Sequence, residues 1–117
     1  IYGYKGKQVR DNLSSYDVAS IIWELYKKPP RAGEVFNIGG GRESNISVFE
    51  AIKKCELITA NKFNYKYVNI GRSGDHKFWI TDMSKFKKNY PNWRIKYIID
   101  DILYQMNDYE KFSKFKR

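Results

Sequence analysis

Residues 34–52 read EVFNIGGGRESNISVFEAI: a short apolar run, three consecutive glycines, then the start of a helix. Glu34-Val-Phe-Asn-Ile38 has the length and composition of a strand, and Gly39, Gly40 and Gly41 break it with a turn. Ser47-x-x-Glu50 is a capping box, in which the serine oxygen and the glutamate each satisfy one of the first free N–H groups of a helix. Behind it Val48, Ala51, Ile52 and Cys55 recur along one stripe, which predicts a helix burying that face. Strand, glycine loop and helix in this order are the rhythm of an α/β chain.

Working outward, the same logic predicts a preceding helix. Ser14-x-x-Asp17 is another start signal, Val18, Ile21, Ile22 and Leu25 follow at helical spacing, and Pro29-Pro30 ends the run. Before it, Tyr2, Tyr4 and Val9 among glycines and charges suit a strand or loop at the edge of a site. Downstream, residues 64–68 alternate like a half-exposed strand and lead into the loop Gly71-Arg-Ser-Gly-Asp75. Asp82 caps a short helix through Lys88, stopped by Pro91. A last helix carries Ile98, Ile99, Ile102, Leu103, Met106 and Tyr109 at steps of three and four. With 117 residues, 42% apolar and 30% charged, this is one folded segment rather than a disordered or fibrous chain.

Several function classes fall away. The chain holds one cysteine, Cys55, and one histidine, His76, too few for a structural zinc site or an internal disulfide. No apolar run reaches the roughly 18 residues of a membrane span, so a soluble, cytoplasmic protein with no membrane partner is expected. The triple glycine sits where a dinucleotide loop belongs, but Ser44 occupies the third glycine place of G-x-G-x-x-G and no acidic residue follows at the required distance. No G-K-[ST] follows either, which excludes a P-loop. These glycines are read as a tight turn with close backbone packing. Cys55 falls on an apolar helical stripe and reads as core.

The formal net charge of +9 and 17% aromatic residues are what a nucleic-acid-binding module would show. Against that reading, the cations are 16 Lys and 6 Arg, and many lysines sit in pairs or near helix ends, where solvent or the helix dipole wants them. The informative cations are the arginines on loops. Arg10, in Gln8-Val-Arg10-Asp11, and Arg72, in Arg72-Ser-Gly-Asp75-His76, could each offer forked donors to a diphosphate. Each could also be a surface ion-pair partner, Arg10 with Asp11 and Arg72 with Asp75.

In order along the chain, Gly6-Lys-Gln-Val-Arg10-Asp11, Tyr16-Asp17-Val-Ala19, Glu34-Val-Phe-Asn37-Ile-Gly39-Gly40-Gly41, Ser44-Asn45, Arg72-Ser-Gly74-Asp75, Asp82-Met-Ser-Lys-Phe-Lys and Tyr90-Pro-Asn-Trp93 resemble the C-terminal part of the NAD-dependent nucleotide-sugar epimerases and dehydratases, which are extended short-chain dehydrogenases. Within that family the motifs are most similar to the CDP-paratose (CDP-tyvelose) 2-epimerase group. The resemblance implies that residues 1–117 are a single α/β substrate-binding segment, whose helix from Asp17 and strand at 34–38 would complete a Rossmann-type sheet. It also implies that NAD, the family's glycine-rich loop and its Tyr-x-x-x-Lys pair belong to an N-terminal domain outside these residues. No catalytic residue, cofactor contact or metal ligand is therefore assigned here. By the same resemblance Arg10 and Arg72 contact the diphosphate of a nucleotide sugar, Asp75 orients that loop or binds the substrate, and Gln8 and His76 lie nearby as weaker substrate-binding candidates. The balance goes against nucleic acid as a partner, and homo-oligomerisation of the full-length enzyme is left open.

Overall fold

The computed structural model describes residues 1–114, with side chains through Asp108. Its strands are β1 (Val9–Asp11), β2 (Asn45–Ser47) and β3 (Phe78–Trp79), and its helices are α1 (Ser15–Lys27), α2 (Val48–Thr59), α3 (Ser84–Asn89) and α4 (Ile99–Lys114). The sheet order is β2-β1-β3. β1 runs antiparallel to β2, with Arg10 opposite Ile46, and parallel to β3, with Arg10 opposite Trp79.

Local signals place the helices. Ser14 caps α1, its hydroxyl oxygen accepting from the Tyr16 N–H at 3.2 Å. Ser47 and Glu50 form the expected capping box of α2, and the Asp82 carboxylate accepts from the Ser84 N–H at 2.8 Å at the start of α3. Asp17 departs from expectation. It does not close a box on α1 but is buried, and its two oxygens accept from the N–H groups of Lys96 and Tyr97, each at 3.0 Å. A buried carboxylate needs such partners because losing water without replacement costs several kcal/mol.

The core is aromatic and lies against one side of α1. Phe86, Tyr90, Trp93, Met83 and Ile21 are buried, with Leu13, Leu25, Phe36, Ile38 and Ile95 packed around them. Phe86 and Tyr90 stack at 4.8 Å between centroids, while Trp93 meets Phe86 edge-on at 5.4 Å, geometries that ring quadrupoles favour. Two polar tips are satisfied: the Trp93 indole N–H donates to Ser20 Oγ at 2.8 Å, and the Tyr90 hydroxyl donates to the Lys28 carbonyl at 2.7 Å.

Several predicted elements are changed by this packing. Residues 34–38 form no hydrogen-bonded ladder within the described residues; Phe36 and Ile38 pack on the core while Val35 is exposed. Residues 64–68 pair only at Val68, which bridges Tyr2 in parallel. On α1, Ile21 and Leu25 face the core, whereas Val18 and Ile22 are exposed. The α2 stripe of Val48, Ala51, Ile52 and Cys55 is half-buried rather than buried, and Ile98, just before α4, and Met106 on it are exposed. A single small core does not reach around every apolar stripe. The Tyr109 side chain and the cations at 111–117 lie outside the described side chains. No described helix is long and apolar enough to cross a membrane.

Replacing Asp17 by Ala removes the shared acceptor of the Lys96 and Tyr97 N–H groups and is expected to destabilise the chain by about 1–3 kcal/mol, with Asp17→Asn costing less; urea unfolding midpoints measure both. The outer face of α1 carries exposed Ile22, with Trp23 and Tyr26 stacked at 5.4 Å. Such a face favours self-association of the isolated chain, which concentration-dependent light scattering detects and a clean monomer would contradict.

Candidate functional site

Successive residues of a strand point to opposite faces, so the short β1 sends Arg10 one way and Asp11 the other. Asp11 becomes a clasp. Its Oδ2 accepts from the Gly41 N–H at 2.8 Å and the Thr81 N–H at 3.0 Å, joining β1 to the glycine loop and to the segment after β3. The glycines are required by closeness: a Cβ on Gly39 would overlap Thr81 and the Asp11 carboxylate, and one on Gly40 the carbonyl oxygens of Asn12 and Ser44. The Asn12 N–H donates to one of those carbonyls, Ser44, at 2.8 Å. The triple glycine thus serves tight backbone packing. Asp11 is not the ion-pair partner of Arg10, because alternation along β1 carries the two side chains to opposite faces.

Arg10 turns instead to Asp75, 65 residues away, donating from Nη2 to Oδ1 at 2.8 Å while Nη1 donates to the Val9 carbonyl at 2.8 Å. Arg72, three residues before Asp75, stands 3.7 Å from the other carboxylate oxygen. The turn at 72–75, closed by the Asp75 N–H donating to the Arg72 carbonyl at 3.2 Å, makes this possible. One carboxylate, its side chain 12% exposed, therefore gathers two guanidinium groups that are 36% and 68% exposed. Asp75 Oδ2 is buried without a hydrogen bond, so the Arg72 contact is a loose charge pairing. The cluster keeps an excess positive charge, with donors free to turn toward an anion.

The structure brings Arg10, Arg72 and Asp75 together and holds the other two candidates differently. Gln8 is buried, its amide donating to the Tyr2 carbonyl at 3.2 Å and its Oε1 without a hydrogen bond. His76 is exposed and sits edge-on to Trp79 at 4.8 Å. Trp79, opposite Arg10 in the ladder and 52% exposed, shares the Arg10 face, a neighbour that only strand register reveals. A groove of about 1010 Å³ lies elsewhere, lined by Gly40, Gly41, Phe78, Thr81, Asp82 and Lys87 among others. Its Lys87 is paired with Glu43, and Arg42, Glu43 and Asp82 also line it.

Burial acts most strongly on the Asp11 carboxyl and opposes its ionisation, yet the N–H groups of Gly41 and Thr81, the Thr81 hydroxyl and its own N–H together hold its pKa below the ordinary value. A carboxyl depressed in the folded state stabilises the fold above its unfolded pKa, and that contribution is lost as pH falls through the folded value. Asp11→Asn is expected to cost about 1–3 kcal/mol at neutral pH and to flatten the loss of stability on acidification below the ordinary carboxylate range, as thermal melts across pH would show.

No family model and no curated protein matches the chain. Solved structures do. The chain is similar to dTDP-glucose 4,6-dehydratase from Bacillus anthracis in complex with NAD, at 28% identity and a TM-score of 0.73 over 95% of this chain and 34% of that one. A variant of UDP-glucuronic acid 4-epimerase from Bacillus cereus, with a fluorinated UDP-glucuronic acid and NAD, superimposes at 25% identity and a TM-score of 0.77, covering 95% and 34%. UDP-glucose 4-epimerase from Thermotoga maritima with UDP-glucose does so at 27% identity and 0.76, covering 97% and 34%. The chain spans about a third of the length of each. Its α/β fold is that of the C-terminal part of the extended short-chain dehydrogenase epimerases and dehydratases.

Proposed function

We propose that residues 1–117 are the nucleotide-sugar-binding portion of an NAD-dependent sugar epimerase of the CDP-paratose (CDP-tyvelose) 2-epimerase type. The observation that carries this reading is the convergence of Arg10 and Arg72 on one largely shielded carboxylate, Asp75, in a fold shared with proteins solved with UDP-sugars. Arg10 and Arg72 hold the diphosphate, which does not react, and supply orientation. Asp75 sets the spacing of the two guanidinium groups. NAD, bound by another part of a longer protein, would accept hydride from the sugar carbon and return it to the other face. The sequence contains no Tyr-x-x-x-Lys, so the segment alone is inactive on this reading. A cytoplasmic location accords with soluble sugar nucleotides as substrates.

The three solved neighbours favour a second reading within the same chemistry, a 4-epimerase or 4,6-dehydratase. Products formed from CDP-, UDP- and dTDP-hexoses by the full-length enzyme separate the two. Nucleic-acid binding loses support because the rings of Tyr2, Tyr4, Phe36, Phe49 and Tyr97 already carry cations over their faces, leaving less aromatic surface for stacking bases.

Arg72→Ala is expected to weaken nucleotide-sugar binding by about tenfold or more, the worth of a lost charge-assisted phosphate contact. Calorimetric titration of the full-length enzyme tests it, and unchanged affinity would refute the clamp.

A further inference from the structure

One cation beside the arginine cluster has no carboxylate partner among the described residues. Lys77 directly precedes β3, and its carbonyl accepts from the Val9 N–H at 3.0 Å. Trp79 stands opposite Arg10 in the ladder, and Lys77 is two residues before it. Its ammonium sits 4.9 Å from the centroid of the Tyr4 ring. Among the described residues, Lys27, Lys54, Lys85 and Lys87 pair with acidic side chains, and Lys77 does not.

The Tyr4 ring belongs to the same construction as Arg72. It lies against Gly71, the residue before Arg72, and the Arg72 guanidinium is 6.0 Å from the centroid of the neighbouring Tyr2 ring. The two segments are tied by the Tyr2–Val68 bridge and by the Lys5 N–H donating to the Tyr67 hydroxyl at 3.0 Å. The rings of Tyr2 and Tyr4, two residues apart in sequence, thus each hold one cation. A ring differs from a carboxylate in a way that matters here: it attracts a cation without neutralising it.

Charge then suggests what the surface takes. Arg10, Arg72 and Lys77 bring three positive charges and Asp75 one negative, leaving two. A nucleoside diphosphosugar carries roughly one negative charge on each of its phosphoryl groups. We propose that Lys77 is a third phosphate-binding cation of the Arg10–Arg72 cluster, with Tyr4 as its positioning residue. This rests on the nucleotide-sugar reading above and names the diphosphate as the group that the surface neutralises.

The test is calorimetric titration of the full-length enzyme with UDP-glucose, CDP-glucose and inorganic pyrophosphate at low and at physiological ionic strength. Lys77→Ala, Lys77→Arg, Tyr4→Ala, Tyr4→Phe and Arg72→Ala are compared, with circular dichroism confirming that each folds. Lys77→Ala should weaken all three ligands by about five- to tenfold at low salt and flatten the salt dependence. Lys77→Arg and Tyr4→Phe should bind like the unaltered chain, and Tyr4→Ala should show part of the Lys77→Ala loss. If Arg72→Ala weakens binding while Lys77→Ala matches the unaltered chain at both salt concentrations, the third cation is refuted and the nucleotide-sugar reading stands. No binding, or equal binding by every variant, overturns both.

Discussion

The Asp11 carboxylate is the interaction on which the arrangement of the site depends. One oxygen accepts N–H groups from Gly41 and Thr81, so β1, the glycine loop and the exit of β3 converge on a single acceptor. An ionised carboxylate makes such bonds about twice as strong as a neutral acceptor, and the glycines at 39 and 40 let three backbones approach where any side chain would clash. Its neighbour Arg10 is then obliged to point to the opposite face. A three-residue strand has little ladder of its own, and the clasp supplies the definition that its length lacks.

On the Arg10 face, electrostatics replaces packing. Asp75 is held by its turn and shielded enough to attract two guanidinium groups, yet it satisfies neither completely, since Arg72 approaches only to 3.7 Å. A tighter pairing would consume the donors that an anion needs. The aromatic rings at Tyr2 and Tyr4 each hold a cation without cancelling its charge. The high aromatic content thus divides in two: Phe86, Tyr90 and Trp93 build the core, and tyrosines near the start of the chain hold charges in place.

The helices were legible because their signals are local. Ser14 and Ser47 cap helices where their spacing says they should, and the Glu50 partner closes the box within one turn. The core was less legible. Phe86, Tyr90 and Trp93 lie in a short helix and the turn after it, where no long periodic pattern marks a buried face, while the stripes on α2 and α4 turned out half-buried or exposed. Residues 34–38 have the composition of a strand, but a ladder needs a partner, and composition says nothing of one.

For the site, residue types and their order pointed to Arg10, Arg72 and Asp75, and the fold brings these three together. What only the tertiary structure decided is which charges meet. Adjacency suggested Arg10 with Asp11; alternation along β1 separates them, and a contact across 65 residues joins Arg10 to Asp75 instead. The same holds for Asp17, a local helix-start signal that became a buried acceptor for residues 96 and 97. The sequence by itself determined the caps, the turns and the inventory of charged groups, because these act over a few residues. Pairing was left to the tertiary structure, since a carboxylate takes whichever donors the folded chain carries within about 3 Å of it.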